Sequence, residues 1–189
     1  MSYKHVLLFT GHMIDAPTRK EQRFPAEMEP LVASAIDEAV ANLAGPDAQQ
    51  TFAISGAARG GDLLFLEACQ NRAIDRQMVI GRSFETFLEN FARNIPGNWP
   101  DRANRIWNDT GTRQDICVAP ADAHRYQYVN DHMLATALDL GDTVTLIALW
   151  DGEKRGKGGP SDFLERAGDK AALHVIPFSD LADRHRAGR

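Results

Sequence analysis

The residues best suited to chemistry lie in the stretch ISGAARGGD at positions 54–62, where an apolar run gives way to the segment LLFLEACQNR. Glycine weakens regular structure, but a bare backbone lets N–H groups approach an anion at the positive end of a helix. Arg59 would add a charge-assisted contact, and Asp62 is placed to cap the helix. A tight turn that only packs strand against helix is an equal alternative, because the loop matches neither GxGxxG nor the P-loop pattern. The candidate ligand contacts here are Ser55, Gly56, Arg59, Gly60, Gly61 and Asp62.

A second glycine-rich loop, DGEKRGKGGPSD at 151–162, follows the apolar run TVTLIALW and is the most basic stretch of the chain. It brings glycines to a helix start for a second time, so two anion-binding loops on one sheet edge would together favour a ligand with phosphate. A merely solvated basic loop is the alternative. The candidate ligand contacts of this loop are Gly158, Gly159 and Ser161.

The third candidate loop, residues 11–25, is long for a connection in a compact domain, and such loops tend to be functional or disordered. Gly11 and His12 stand at its start and are predicted to contact a ligand. Glu67 is the only charged residue in the apolar segment LLFLEAC. It either reaches a crevice or pairs with a buried arginine, since an unpaired buried carboxylate is expensive.

Six apolar runs predict the strands that position these loops: 5–10, 51–56, 77–81, 115–119, 143–150 and 173–178. Continuous apolar runs are typical of parallel strands buried on both faces, and helical periodicity fills the intervals between them. We therefore predict an α/β, Rossmann-like, doubly wound and mainly parallel sheet of about six strands with helices on both faces. One domain is expected over 1–180 and a flexible tail over 181–189. Residues 93–114 predict either a short helix framed by loops or a flap.

Composition narrows the function classes. The chain has 189 residues and a net charge of −5, which argues against non-specific nucleic-acid binding because that requires a positive field. Cys69 and Cys117 stand in apolar runs and are expected to be reduced and buried. No leader and no apolar run of membrane-spanning length is apparent, so a cytoplasmic protein without membrane contact is predicted. The histidines show no metal-ligand spacing, and no cofactor is expected.

The motifs TGHMID, SGAARGGDLLFLEA and LWDGEKRGKGGPSDF together resemble the SLOG superfamily, over about residues 5–178. This Rossmann-like group includes the LONELY GUY and lysine-decarboxylase-like phosphoribohydrolases, DprA-like proteins and nucleotide-sensing domains. The resemblance implies that both glycine loops bind a nucleotide or a nucleotide-derived ligand, and that the chain pairs as a homodimer. The hydrolytic branch carries PGG-x-GT-x-x-E, which places its glutamate on Glu165. Lys157, Ser161 and Asp162 depart from that pattern.

Two functions follow from this reading. The first is a module that binds a small nucleotide or derivative in the crevice between the loops, as a sensing or signalling domain. The alternative is an N-glycosidic hydrolase, similar to the phosphoribohydrolases, that acts on nucleoside monophosphates. Its candidate catalytic acids are Glu165, Asp162 and Glu67. A single-stranded DNA handler is disfavoured by the acidic balance.

Overall fold

The architecture is a six-stranded sheet with helices on both faces, seen in a computed structural model that describes residues 2–89, 91 and 95–187. The strands are β1 (Tyr3–Gly11), β2 (Thr51–Ser55), β3 (Asp75–Ile80), β4 (Thr112–Ile116), β5 (Gly141–Trp150) and β6 (Ala172–Pro177). The helices are α1 (Glu29–Ala44), α2 (Gly61–Asn71), α3 (Phe84–Glu89), α4 (Trp99–Trp107), α5 (Arg125–Leu140), α6 (Pro160–Ala167) and α7 (Phe178–Ala187). Short 3₁₀ segments occupy Ala26–Met28, Gly45–Gln50 and Gly168–Lys170.

The strand order is β4-β3-β2-β1-β5-β6, and every neighbouring pair is parallel. The chain builds outward from β1 to β4, then returns through α5 to add β5 on the other side of β1. Connections therefore leave β1 and β5 in opposite directions, which opens a crevice at the carboxyl ends of these two strands. The predicted doubly wound α/β fold is confirmed, and each predicted run overlaps a strand. Strand β4 begins three residues before its run, inside the segment predicted to be irregular, and ends at Ile116.

The hydrophobic core lies on both faces of the sheet. Strand β1 is therefore apolar at successive positions and does not alternate between apolar and polar residues. Leu7 and Phe9 belong to a core cluster that also contains residues of α1, α2, α4 and α7, whereas Val6 and Leu8 belong to a second cluster with residues of α5 and α6. All four side chains are essentially inaccessible to solvent. Because side chains alternate between faces along a strand, a strand covered on both sides must be apolar at every position.

The irregular segment 93–114 contains the short helix that was one of its two predicted forms. Helix α4 places Trp99, Ala103, Ile106 and Trp107 in the core, and it packs against α2. The indole N–H of Trp99 donates to the carbonyl of Pro96 at 2.7 Å, which satisfies its polar group. Residues 90 and 92–94 lie outside the described part of the chain.

The C-terminal segment differs from the flexible tail predicted over 181–189. Residues 178–187 form α7, which packs against α1 through the buried Phe178 and Leu181. Only two large apolar residues stand in this otherwise polar segment, so its sequence carries too little periodicity to reveal a docked helix. Residues 188–189 lie outside the described part. No helix in the described ranges is both long and apolar enough to cross a bilayer.

We expect Leu181→Ala to lower the free energy of unfolding by about 2–5 kcal/mol, because it removes a buried side chain and leaves a cavity. Arg184→Ala is the matched control, since Arg184 is exposed on the same helix. Urea denaturation of both variants measures the difference. Equal stability of the two variants would show that α7 is not docked.

Candidate functional site

A cavity of about 630 Å³ opens at the carboxyl edge of the sheet. The loops that follow β1, β2, β3 and β5 all contribute to its wall, together with the first turns of α5. Its volume lies within the range of about 300–1,000 Å³ that is usual for small-molecule sites. The topology accounts for this position, because parallel strands deliver all their outgoing loops to one edge.

The paired glycines of the first loop serve a close crossing of two backbones. Gly60 has φ +106°, and a Cβ there would lie 2.6 Å from the backbone nitrogen of Ile14. The Gly61 N–H donates to the carbonyl of His12, and the Ile14 N–H donates to the carbonyl of Arg59, each at 3.1 Å. Gly60 and Gly61 are therefore needed to hold the loop after β1 against the loop after β2, and they do not line the cavity.

The Asp62 side chain of the same loop lies against Gly56, where a larger residue would place its own side chain. Its Oδ2 accepts the Ala58 N–H at 3.3 Å and would lie 2.8 Å from a Cβ built on Gly56. Desolvation raises the pKa of Asp62 to about 7, against the smaller opposite effect of the Ala58 hydrogen bond. A carboxyl group of the chain itself thus stands at the start of α2, facing the cavity, and it can change its charge near neutral pH.

The second loop is closed by an equivalent carboxylate with a different environment. Asp162 Oδ2 accepts the Gly158 N–H at 3.1 Å, and its Oδ1 accepts the Gln127 side-chain amide at 2.7 Å. Burial opposes ionisation, but these bonds and Arg166 keep the pKa of Asp162 below its usual value. Gly158 has φ +81°, and a Cβ there would lie 2.3 Å from Tyr126 Cβ, so this glycine lets the loop pack on the first turn of α5.

Several positive charges on the cavity wall lack a carboxylate partner, as do Arg113, Arg184 and four lysines elsewhere among the described residues. Among the described residues, none of the wall's five Arg and Lys side chains has a carboxylate within 4.0 Å, whereas eight arginines elsewhere do. The five are Arg23, Arg59, Arg82, Arg125 and Lys157. Asp62 is the only acidic residue among the described residues of the wall.

Arg23 and Arg59 are the most constrained of these cations. Each buries a guanidinium Nε that finds no hydrogen-bond partner within the described chain. Desolvation is the main reason that the pKa of both groups is lowered, and for Arg23 the nearby Arg19 and Arg155 add to it. Both residues are only partly buried, so the cost falls mainly on the buried Nε, which has lost its water without gaining a hydrogen bond.

His12 links the loops on the two sides of the crevice. Its buried ring lies 3.4 Å from the Asp151 carboxylate, measured from Nε2 to Oδ2, and meets Phe178 edge to face. Desolvation lowers the pKa of His12 in spite of the Asp151 charge, so the ring is neutral at neutral pH. Asp151 in turn accepts from Arg155 at 2.6 Å.

The structure brings most of the predicted ligand contacts together. Those that line the cavity are Gly11, His12, Gly56, Arg59, Asp62, Gly158 and Gly159. Those that do not are Ser55, Gly60, Gly61 and Ser161. Ser55 is fully buried at the end of β2, and the Ser161 hydroxyl closes its own loop by bonding the backbone of Arg155.

None of the three predicted catalytic acids lines the cavity. Glu67 joins α2 to α4 through Arg102, at 2.8 Å from Nε, and Arg105, at 3.0 Å, which is the arginine pairing given as its alternative. Asp162 is held beneath the second loop, and Glu165 is exposed on α6. No group of three or more His, Cys, Asp or Glu within residues 2–89, 91 and 95–187 is placed to hold a metal.

Sequence reasoning missed Arg82, Arg125, Phe87 and Phe91, all of which line the cavity. A signal existed for Arg82, because it comes two residues after the end of β3, and every strand end meets the same edge. Arg125 opens α5 and lies over Gly81, where a Cβ would be 3.1 Å from Arg125 Cδ. That contact depends on how α5 docks, which local sequence does not encode.

Comparison with solved structures finds a likeness of fold. No family model matches the chain, and no curated protein matches it. The solved structure of DNA processing protein A (DprA) from Streptococcus pneumoniae aligns with a TM-score of 0.41 and 14% sequence identity. The alignment covers 96% of this chain and 61% of that one, so this chain spans less than two thirds of the DprA chain.

The pKa of Asp62 gives a test of the site by stability. The folded pKa of about 7 exceeds the unfolded value of ~3.9, so the folded state binds more protons between these values and stability falls as pH rises across that window. We expect wild type to lose stability relative to Asp62→Asn from pH 4 to pH 8, by at most about 1.4 kcal/mol per pH unit. Urea denaturation across this range measures it. The contributions of other titrating groups cancel when the two proteins are compared. Parallel curves of unfolding free energy against pH for wild type and Asp62→Asn would contradict the assigned pKa.

Proposed function

We propose that the cavity binds a nucleotide or a nucleotide-derived ligand, and that the chain is a SLOG-like binding module. The observation that carries this proposal is the set of five unpartnered cations on the wall, two of them with buried guanidinium nitrogens. Arginine is suited to phosphate because its planar guanidinium donates two parallel hydrogen bonds to a multiply charged oxyanion. A ligand with phosphate would supply the charge that the wall lacks.

The rest of the wall fits the base and sugar of such a ligand. Apolar side chains of the wall come from both core clusters, Phe87 and Phe91 from one and Val129 and Met133 from the other. The exposed ring of Tyr126 stands beside the second loop. The side-chain amide of Asn130 donates to the Gly158 carbonyl at 3.4 Å and also reaches the cavity wall. A flat aromatic base needs apolar surface and few polar contacts, whereas phosphate needs the cations. Both surfaces are present in one cavity.

The geometry favours side chains as the phosphate contacts, in place of the backbone N–H groups of the glycine loops that the sequence suggested. Asp62 and Asp162 already accept the Ala58 and Gly158 N–H groups, and the Gly61 N–H bonds His12. Arginine and lysine side chains are therefore the main phosphate contacts in this proposal, and the glycine loops mainly let the elements that carry them approach. As a sensing module, the chain would pass the bound state to a partner chain or to a second copy of itself.

Isothermal titration calorimetry with nucleoside mono-, di- and triphosphates of the four common bases tests the proposal. We expect binding by at least one of them, weakened about tenfold or more in Arg59→Gln and in Arg125→Gln, because each loses a charged hydrogen bond. Arg184→Gln, which removes an exposed arginine on α7, is the matched control and should bind as wild type does. No binding across the panel would overturn the proposal.

A second candidate, N-glycosidic cleavage, gains support from Asp62 and not from the acids first assigned to it. In this reaction the bond between ribose C1′ and the base nitrogen breaks, water adds its oxygen to C1′, and the base leaves with a proton. A carboxylic acid with a pKa near neutral can donate that proton and recover it from the attacking water. Asp62 has such a pKa and faces the cavity.

Release of free base from nucleoside monophosphates tests this second candidate. We expect Asp62→Asn to lower the rate by about 10²–10⁴-fold, and the wild-type rate to fall above pH 7 as the acid ionises. Glu165→Gln is the control, because Glu165 is exposed on α6 and should leave the rate unchanged. Absence of base release under conditions where nucleotides bind would leave the binding module as the function.

A further inference from the structure

We propose that β6 is an interface strand, to which β6 of a second copy of this chain pairs edge to edge and antiparallel, so that two six-stranded sheets join into one. Strand β6 has β5 on one side and, within the described residues, no further strand on the other. The inference goes beyond the proposed function and does not depend on which ligand the cavity takes.

The edge formed by β6 is not protected by its own residues. The strand pairs with β5 in an unbroken register over Ala172–Pro177. Every second residue of an edge strand turns its N–H and C=O away from the sheet, and natural proteins usually blunt such an edge with charged residues, bulges or proline. The sequence ALHVIP contains no Lys, Arg, Asp or Glu, and its proline stands only at the last position. The outward backbone groups of β6 are therefore free to pair with another strand.

The opposite edge of the same sheet is blunted in the usual way. Strand β4 carries Arg113 and Asp115. The Arg113 guanidinium lies over the ring of Phe52, 4.6 Å from its centroid, and Asp115 is hydrogen-bonded to Gln77 and His132. A strand added beside β4 would meet these charged groups, whereas a strand added beside β6 meets none. The two edges therefore differ, and β6 is the one suited to pairing.

Apolar side chains stand exposed beside the outward backbone groups of β6. Leu173 and Val175 are 52% and 42% exposed, and both project from the same face because side chains alternate along a strand. Ile176, which projects from the other face, is buried in the core. Pairing at this edge would thus bury apolar surface, at about 25 cal/mol per Å², in addition to forming backbone hydrogen bonds.

A second copy fits this edge because β6 is complementary to itself. When a two-fold axis passes through His174 of an antiparallel pair, Leu173 of one chain lies opposite Val175 of the other, and directly opposite residues are close enough for contact. An axis at Leu173 would place Val175 opposite Ala171, and an axis at Val175 would place Leu173 opposite Pro177. The axis at His174 is therefore the register that joins the exposed apolar residues.

A two-fold pair is closed, and it leaves each cavity within one chain. Pairing of β6 with the β4 edge of another copy would be head to tail and would generate an open filament, and it would meet Arg113 and Asp115. In the antiparallel pair, the carboxyl ends that carry the two cavities point in opposite directions. No residue of β6 lines the cavity, so loss of pairing and loss of ligand binding are separate results.

Sedimentation velocity at about 1–100 µM, the range in which small interfaces form, tests the pairing. We expect wild type to show a monomer–dimer equilibrium. Val175→Lys should raise the dissociation constant at least about tenfold, because it would bury an ammonium group opposite Leu173. Val118→Lys is the matched control, since Val118 is a more exposed valine outside β6, and it should dimerise as wild type does.

Thermal melting verifies that both lysine variants fold. A wild-type monomer at every concentration would overturn the inference, and so would a dimer that Val175→Lys leaves intact. Assemblies that grow beyond a dimer would indicate head-to-tail pairing and would also contradict it.

Cross-linking tests the register. We expect His174→Cys to form a disulfide-linked dimer under mild oxidation, because opposite Cα atoms in an antiparallel pair lie about 4.5–5.5 Å apart, within the span of a disulfide. Wild type, whose two cysteines are buried, and Val118→Cys should remain unlinked. Absence of the linked dimer in His174→Cys would contradict the two-fold axis at this residue.

Discussion

Partial desolvation of arginine side chains that lack a carboxylate partner, at one edge of a parallel sheet, is the constraint around which the candidate site is arranged. A parallel sheet brings every outgoing loop to the same side, and four of those loops contribute to a wall with five positive side chains. Eight arginines elsewhere in the described chain are paired with carboxylates, as in the Arg102 contacts with Glu29 and Glu67. Arg23 and Arg59 lose hydration without such a partner. The anionic ligand proposed above would supply the charge that these side chains lack.

The glycines contribute to that arrangement by allowing backbones to approach each other. Gly60 lets the chain after β1 cross the chain after β2, and Gly158 lets the second loop rest on Tyr126. From sequence alone, a phosphate and a close crossing make the same demand for a missing Cβ, so the two interpretations could not be separated. The structure assigns the crossing to Gly60 and Gly61, while Gly56 and Gly158 lie on the cavity wall.

Features that depend on local sequence, such as the strands, could be predicted. Features that depend on how helices pack against the rest of the fold could not. The strands could be found because burial on both faces forces runs such as VLLF in β1 and LIAL in β5. The edge that carries the site followed from the parallel topology. Arg125 reaches the cavity only through the packing of α5 on Gly81, and Glu67 is withdrawn from it by Arg102, 35 residues away in sequence. Helix α7 was missed because Phe178 and Leu181 are too few to show a period.

Asp62 and Asp162 show how equal positions in two similar loops acquire different chemistry. Each carboxylate accepts the N–H of the residue four positions earlier, at the start of a helix that follows a strand. Asp162 also accepts hydrogen bonds from Gln127 and Arg166, and the pKa of Asp162 is lowered despite burial. Within the described ranges, the Ala58 N–H is the one hydrogen-bond donor to Asp62, and desolvation raises the pKa of this carboxyl group to about 7. The second carboxylate is therefore a fixed structural contact, whereas the first faces the cavity and adjusts its charge. An anion bound in the cavity as proposed would disfavour the ionised form of Asp62, so its binding would be coupled to proton uptake at this carboxyl group.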